Sequence, residues 1–353
     1  MTIRKHLMSF AAGLALLMGA TAAQTDARAE GELHFYNWTN YFPPDLMAKF
    51  EAETGIKTTM DAYDTNEALL AKLQAGSAGY DVVVPSDYMV GIMIEEGLLQ
   101  EIDAPSMENF GNVMAPHDDP PYDPGRKYSA PYMWGTTGFT YDSARVPDGK
   151  LEDSWKEFFE PRAELQGQIA VLDDSVSVYN AAAFYVGVDQ CTEDPEEAKQ
   201  ILNVLMAQKD KIALYSSEGT IDRLLAGEVI MHHQWNGASH RVWRDKPSIV
   251  YVYPREGIDF WADNFVIPKD APNPEAARTF INWIMAPENV AEASNFTGYM
   301  NAIQGSDAHM EDDLKKNPAV NMPAEYAERL RPSKDCSVKA RELRDRVWTR
   351  LKK

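Results

Sequence analysis

Aromatic residues with a polar or acidic neighbour recur at the ends of the predicted strands and helices. Five short segments share this feature: Trp38-Thr39-Asn40-Tyr41, Ser86-Asp87-Tyr88, Trp235-Asn236, Trp261-Ala262-Asp263 and Thr297-Gly298-Tyr299. The faces of Trp and Tyr rings attract ammonium groups by about 0.5–2 kcal/mol, and a buried cation also requires a hydrogen-bonded partner, which a carboxylate supplies. Taken singly, each ring is ordinary core material. Together, the five segments predict a cleft suited to positively charged amines.

The sequence carries none of the common local signatures of catalysis: no GxSxG, HExxH, Walker A or GxGxxG pattern. His232, His233 and His240 are close in sequence. Adjacent strand residues point to opposite faces, so His232 and His233 are poorly placed to share a metal ion. We therefore expect no metal and no other cofactor. Enzymes that use two carboxylates need no local motif, so a secreted carbohydrate-active enzyme stays open.

Alternating strand and helix patterns occupy the segment from residue 31 to residue 97. The strands expected there are 31–38, 56–60 and 80–85. Asp64 followed by Glu67 resembles a capping box and predicts the start of the second helix. Such alternation predicts a parallel sheet covered by helices on both faces, with ligands bound beyond the carboxyl ends of the strands. Residues 38–41 and 86–88 lie at two of those ends.

The rest of the chain continues the mixture of helices and strands after an irregular, proline-rich segment at 109–128. The further extended segments are expected at 130–141, 228–235 and 260–268, and the helices at 153–159, 193–208, 274–284 and 338–351. We find no internal repeat. The pattern is that of an α/β protein with about two domains.

Charge and composition exclude two classes of protein. The 353 residues include 34 Lys and Arg against 54 Asp and Glu, a net charge of −20. A nucleic-acid binder needs a basic face to displace phosphate counterions, so we exclude that class. The chain also has 8 Trp, 16 Tyr and 13 Phe, too many for a disordered protein.

The first 29 residues resemble an export signal. Arg4 and Lys5 precede an apolar stretch at 10–20, and Ala27-Arg28-Ala29 matches a cleavage pattern. The apolar stretch is too short to span a bilayer. We therefore expect a soluble protein that is exported to the periplasm.

Cys191 and Cys336 are the two cysteines of the chain. In an oxidising compartment they could form one disulfide. Separation in sequence says nothing about distance in space, so a disulfide and two separate thiols both stay open.

Several segments in order along the chain resemble the periplasmic polyamine-binding proteins, which capture spermidine and putrescine for ABC importers. The segments that carry the resemblance are Phe35-Tyr-Asn-Trp-Thr-Asn-Tyr41, Gly79-Tyr-Asp-Val-Val-Val-Pro-Ser86, Pro131-Tyr-Met-Trp-Gly-Thr-Thr-Gly138, Gln234-Trp-Asn-Gly-Ala238, Phe260-Trp-Ala-Asp263 and Phe296-Thr-Gly-Tyr299. Dispersed matches in order are more specific than one short motif.

This resemblance implies the α/β class II periplasmic binding-protein fold, with two lobes of mixed, mostly parallel sheets joined by crossover segments. The N-terminal lobe would comprise 30–136 and 265–304, and the C-terminal lobe 137–264 and 305–353. The ligand would lie between the lobes. The implied partners are an inner-membrane permease and its ATPase, and the implied oligomeric state is a monomer.

The resemblance also implies a set of ligand-binding positions. Those that match the family are the aromatic walls Trp38, Tyr41, Tyr88, Trp235, Trp261 and Tyr299, the hydroxyl positions Thr39 and Ser86, and the carboxylates Asp174 and Asp263. Asp263 follows Trp261 by two residues, so in an extended segment both side chains point to one side. This spacing makes Asp263 the foremost candidate for an ammonium partner.

Three of the implied ligand-binding positions depart from the family. Asn40 and Ser177 replace acidic residues of the family, and Lys334 replaces a glutamine in a loose alignment. Asp87 or Asp173 could compensate for the lost carboxylates. Otherwise the cleft suits a ligand with fewer positive charges, or one with an acid group that Lys334 would meet.

The leading interpretation is accordingly a receptor for putrescine or spermidine. Agmatine or an amino-acid-like ligand is the alternative that follows from the departures. A ferric ion or an anion fits less well: the chain has no adjacent tyrosine pair, the cleft aromatics include three Trp, and no Arg or Lys stands at the strand ends.

Overall fold

The computed structural model describes residues 31–76 and 79–353, so the expected signal peptide at 1–29 lies outside the described residues. The strands are β1 Gly31–Trp38, β2 Ile56–Tyr63, β3 Val82–Val83, β4 Ser129–Asp142, β5 Ile169–Val171, β6 Leu214–Tyr215, β7 Met231–Trp235, β8 Ile249–Val252, β9 Ile258–Val266, β10 Met300–Asn301 and β11 Leu330–Pro332. The helices are α1 Pro44–Thr54, α2 Asn66–Gln74, α3 Asp87–Glu95, α4 Lys156–Phe159, α5 Ser175–Val186, α6 Pro195–Lys209, α7 Thr220–Leu225, α8 Asn236–Asp245, α9 Pro274–Ile284, α10 Pro287–Thr297, α11 Asp312–Lys316 and α12 Val338–Lys352.

The β–α alternation predicted for residues 31–97 is present. β1 has the predicted bounds and pairs in parallel with β2 and β3. The start of α2 differs from the prediction: the N-cap is Thr65, whose side chain accepts a hydrogen bond from the Ala68 N–H. Asp64 instead accepts a 2.9 Å hydrogen bond from the Thr39 hydroxyl. Asp64 therefore does not cap α2; it directly follows β2 and lies beside the residue that follows β1.

The described strands form one 11-stranded mixed sheet with the order β2-β1-β3-β9-β4-β7-β5-β6. β4 and β9 are long and pair antiparallel near its middle, while β8 and β10 pair with β4 and β11 pairs with β9. Parallel pairs stand on either side, β1 with β2 and β3, and β5 with β6 and β7. The two expected sheets are thus hydrogen-bonded into one through the crossing strands, since β4 is long enough to pair at both of its ends.

Two large apolar cores lie at different places along this sheet. Phe35 and Phe280 belong to the first, and Trp155 and Phe158 belong to the second. β4 contributes to both, with residues 132–133 in the first core and Phe139 and Tyr141 in the second. The bounds of the two lobes stay a prediction.

Cys191 and Cys336 form a disulfide, with a Cα–Cα distance of 5.2 Å. Of the two possibilities that the sequence left open, a disulfide or two separate thiols, the structure has the disulfide. The bond joins the segment before α6 to the segment before α12, and these two helices pack together. It fixes the last helix of the chain against the second core.

Across residues 31–76 and 79–353, no helix is both long and apolar enough to cross a membrane.

Candidate functional site

A slot opens beside β9, where the ends of β1 and β3 face the N-terminus of α5. It encloses about 730 Å³, open solvent at its mouth included. Eleven of the fourteen candidate site residues line it: Trp38, Thr39, Tyr41, Ser86, Tyr88, Asp174, Ser177, Trp235, Trp261, Asp263 and Tyr299. The sheet therefore brings together residues that are up to about 260 positions apart in sequence.

Asp263 is a buried carboxyl held by two hydrogen bonds. It accepts hydrogen bonds from the Tyr41 hydroxyl at 2.8 Å and from the Ser86 hydroxyl at 2.7 Å. The side chain is only 5% exposed, and this burial raises the pKa of Asp263 to about 7, although the two hydrogen bonds act to lower it. A cation placed beside the carboxyl would restore the ionised form, so the site is poised to accept one.

Three rings stand edge to face along one wall. The Tyr299 ring lies 5.5 Å from Tyr41 and 5.3 Å from Trp261, centroid to centroid. Trp261 donates its indole N–H to the Thr137 hydroxyl at 3.1 Å. Close backbone approach is essential here, because a Cβ on Gly237 would lie 2.4 Å from the Tyr299 ring. These contacts fix the ring orientations before any ligand arrives.

Trp38 and Tyr63 form a second aromatic wall, with ring centroids 4.6 Å apart. Both donate to the Val84 carbonyl, Trp38 at 2.8 Å and Tyr63 at 2.6 Å. Since the indole N–H is already bonded to the backbone, Trp38 offers a ligand its π face. That is the surface that attracts an ammonium group.

A polar network supports the floor of the slot. The Asn66 amide donates to the Ser86 hydroxyl at 3.1 Å and to the Tyr88 hydroxyl at 3.0 Å, and Tyr88 donates to Glu67 at 3.4 Å. Burial raises the pKa of Glu67 above its usual value. The network holds Ser86 in the position from which it donates to Asp263.

Two further carboxyls, Asp174 and Asp259, line the slot. Asp174 is the N-cap of α5 and accepts hydrogen bonds from the N–H groups of Val176 and Ser177, each at 2.9 Å. Asp259 accepts from the Asn180 amide at 3.2 Å and from the Ser333 hydroxyl at 3.1 Å. Burial raises the pKa of Asp174, and it raises the pKa of Asp259 to about 7.

Arg344 of α12 is buried near Asp174 and Asp259. Its positive charge acts to lower the pKa values of Glu67, Asp174 and Asp259. Its Nε atom has no hydrogen-bond partner in the described part of the chain. One guanidinium does not balance the acids around it, so the slot favours cations.

Three candidate residues, Asn40, Asp87 and Lys334, do not line the slot. Lys334 is exposed, and its Nζ lies 3.0 Å from Asp189. Asn40 has a left-handed backbone (φ 57°) in the turn after β1 and lines a neighbouring cavity instead. Asp87 is buried in the first turn of α3, where it accepts from the Tyr88 N–H at 2.8 Å.

The compensation expected from Asp173 is not observed either. Its carboxylate lies 3.0 Å from the ammonium group of Lys352, away from the lining residues. Neither Asp87 nor Asp173 therefore replaces the acids that the sequence lacks at positions 40 and 177.

Six further lining residues were missed: Tyr63, Asp64, Asn66, Val176, Asp259 and Ser333. The alternation of β9 could have identified Asp259, because it shares a face with Trp261 and Asp263. Ser333 follows β11 directly, and its N–H donates to the Phe260 carbonyl at 2.9 Å. A shift of one residue separates it from the expected Lys334.

The chain is similar in sequence to a family of known proteins. The bacterial extracellular solute-binding protein family matches residues 45–324. The putrescine/agmatine-binding protein of Pseudomonas aeruginosa is 32% identical over 99% of both chains. The spermidine/putrescine-binding periplasmic protein of Escherichia coli is 36% identical over 84% of this chain and 83% of that one.

A solved structure has the same fold. The spermidine/putrescine ABC transporter substrate-binding protein PotD from Streptococcus pneumoniae superposes with a TM-score of 0.76, at 26% identity over 91% of this chain and 98% of that one. The expected α/β periplasmic binding-protein fold is confirmed. This chain belongs to the bacterial extracellular solute-binding protein family.

Proposed function

We propose that the protein is the periplasmic receptor of an ABC importer and binds a polyamine, putrescine or spermidine, in the slot beside β9. The observation that carries this proposal is the buried Asp263 carboxyl, which accepts two hydroxyl hydrogen bonds and stands among the rings of Tyr41, Trp261 and Tyr299. Carboxylate oxygens and π faces would replace the hydration shell of an ammonium group.

The charges of the slot favour an amine over an anion or an amino-acid-like ligand. Among the described residues, no Lys, Arg or His lines the slot, whereas Asp64, Asp174, Asp259 and Asp263 do. An acid group of a ligand would meet these carboxyls without a facing cation, and like charges in a buried site are unfavourable. Lys334, which was expected to meet such a group, lies outside the slot.

We further propose that the ligand bridges two lobes, 30–136 with 265–304 and 137–264 with 305–353. Side chains from both parts line the slot, Trp38 and Ser86 from the first, Asp174 and Trp235 from the second. A ligand that contacts both parts stabilises the closed arrangement and not the open one. The closed form would then deliver its cargo to an inner-membrane permease and its ATPase, as a monomer and without chemical turnover of the ligand.

A thermal-shift panel on the purified mature protein tests the proposal, with putrescine, cadaverine, spermidine, spermine, agmatine and γ-aminobutyrate as ligands. A ligand at 100 times its Kd adds about 2.7 kcal/mol to the free energy of unfolding. We expect stabilisation by putrescine or spermidine and none by γ-aminobutyrate. No shift with any amine would overturn the proposal.

A further inference from the structure

β9 carries three alternate side chains that all line the slot. They are Asp259, Trp261 and Asp263. Alternate residues of a strand share a face. The two carboxyls therefore flank the indole on one continuous surface.

The two carboxyls are four residues apart on β9. With about 3.3 Å per residue, four residues of strand separate their Cα atoms by about 13 Å. Their surroundings also differ. Asp263 is bonded to Tyr41 and Ser86, whereas Asp259 is bonded to Asn180 and Ser333.

Asp259 is buried among charged groups from several elements. It is 4% exposed; Asp174, at the N-terminus of α5, acts to raise its pKa, and Arg344, on α12, acts to lower it. Asp87 of α3 is close enough for its own pKa to be raised by Asp259. The Asn180 amide and the Ser333 hydroxyl both donate to Oδ1 of Asp259 and hold the carboxyl in place.

We propose that Asp259 is a second ammonium-binding carboxylate and that, with Asp263, it selects a ligand by the distance between its outer cations. The inference rests on the proposed function and names the preferred ligand within it. Cations about 2.8 Å from each carboxylate would be separated by about 8 to 13 Å, depending on how the side chains lean.

Chain lengths discriminate between the polyamines. An extended chain advances about 1.25 Å per bond, which separates the outer nitrogens of putrescine by about 6 Å, of spermidine by about 11 Å and of spermine by about 16 Å. Spermidine alone of the three matches the two carboxylates. Its central ammonium would then lie against Trp261, between the two acids.

Calorimetric titration of spermidine and putrescine at pH 8 into the wild-type protein and into Asp259→Asn tests this proposal. We expect the wild type to bind spermidine more tightly than putrescine. The substitution should weaken spermidine binding at least 30-fold and putrescine binding less than threefold. Asp259→Glu, which keeps the charge, should recover most of the loss.

Asp173→Asn is the matched control, because Asp173 is an exposed acid that pairs with Lys352 and lies outside the slot. Its affinities should equal those of the wild type. Thermal unfolding of each variant without ligand checks the fold.

The results distinguish a failure of the role assigned to Asp259 from a failure of the proposed function. Unchanged spermidine affinity in a folded Asp259→Asn protein, or equal losses for both amines, would overturn the role of Asp259 and leave the polyamine receptor standing. A wild-type protein that binds no polyamine would overturn the proposed function and this inference with it.

Discussion

Replacing Asp263 by asparagine removes one charge from the slot and changes little else. The asparagine has nearly the same shape, so its side chain still reaches the hydroxyls of Tyr41 and Ser86. What is lost is the carboxylate that faces the bound ammonium. Removing one partner of a buried ion pair costs about 3–5 kcal/mol, because the other charge stays buried without compensation.

The proposed site sets the expected size of the effect. Each 1.4 kcal/mol is about a tenfold change in Kd, so about 3 kcal/mol corresponds to a loss of roughly 150-fold in polyamine affinity. The ligand-free variant should be at least as stable as the wild type at pH 8, because burial already disfavours the ionised form of Asp263.

Calorimetric titration at pH 8 measures the loss, with Asp173→Asn as a control of equal charge change at an exposed position. Thermal unfolding establishes that the variant is folded. A folded Asp263→Asn protein whose affinity stays within threefold of the wild type would refute the role assigned to this carboxyl.

The structure supports four further predictions. Polyamine affinity should fall roughly 100-fold between pH 8 and pH 5 for each carboxyl of pKa about 7 that must ionise, Asp263 among them, whereas a flat pH profile by calorimetry would contradict this. Without ligand the sign reverses: folded Asp263 retains its proton between about pH 4 and 7 while the unfolded chain has lost it, so its contribution to stability falls as pH rises through that window. Replacing both Cys191 and Cys336 by serine should lower the free energy of unfolding by about 4 kcal/mol in urea titration, and an unchanged midpoint would count against the closed loop. Gly237→Ala should weaken polyamine binding at least tenfold in a folded protein, because its Cβ would displace the Tyr299 ring, and wild-type affinity would show that this wall is dispensable.

The sequence predicted the elements that have one buried face. β1 has its predicted bounds because Leu33 and Phe35 alternate with more polar residues. α5 was missed because it is buried on nearly all sides, from Val176 to Phe184, so its sequence shows no polar stripe.

The sequence predicted candidate site residues where aromatic side chains mark the ends of strands. It missed residues whose exposure to the slot depends on the exact register of a strand. A shift of one residue turns a side chain to the opposite face of a strand. Ser333 therefore faces the slot directly after β11, while Lys334 faces solvent and pairs with Asp189. Asp259 was missed although it alternates with Trp261 and Asp263 on β9. Its hydrogen bonds from Asn180 and Ser333 join residues that are far apart in sequence, so only the fold shows them.

A crystal structure of the mature protein with spermidine would show directly whether the slot binds a polyamine. We expect a polyamine in the slot beside β9, with one ammonium nitrogen about 2.8 Å from an Asp263 oxygen and the alkyl chain against the Trp261 ring. A polyamine bound on the outer surface, with the slot empty or filled by an anion, would contradict it.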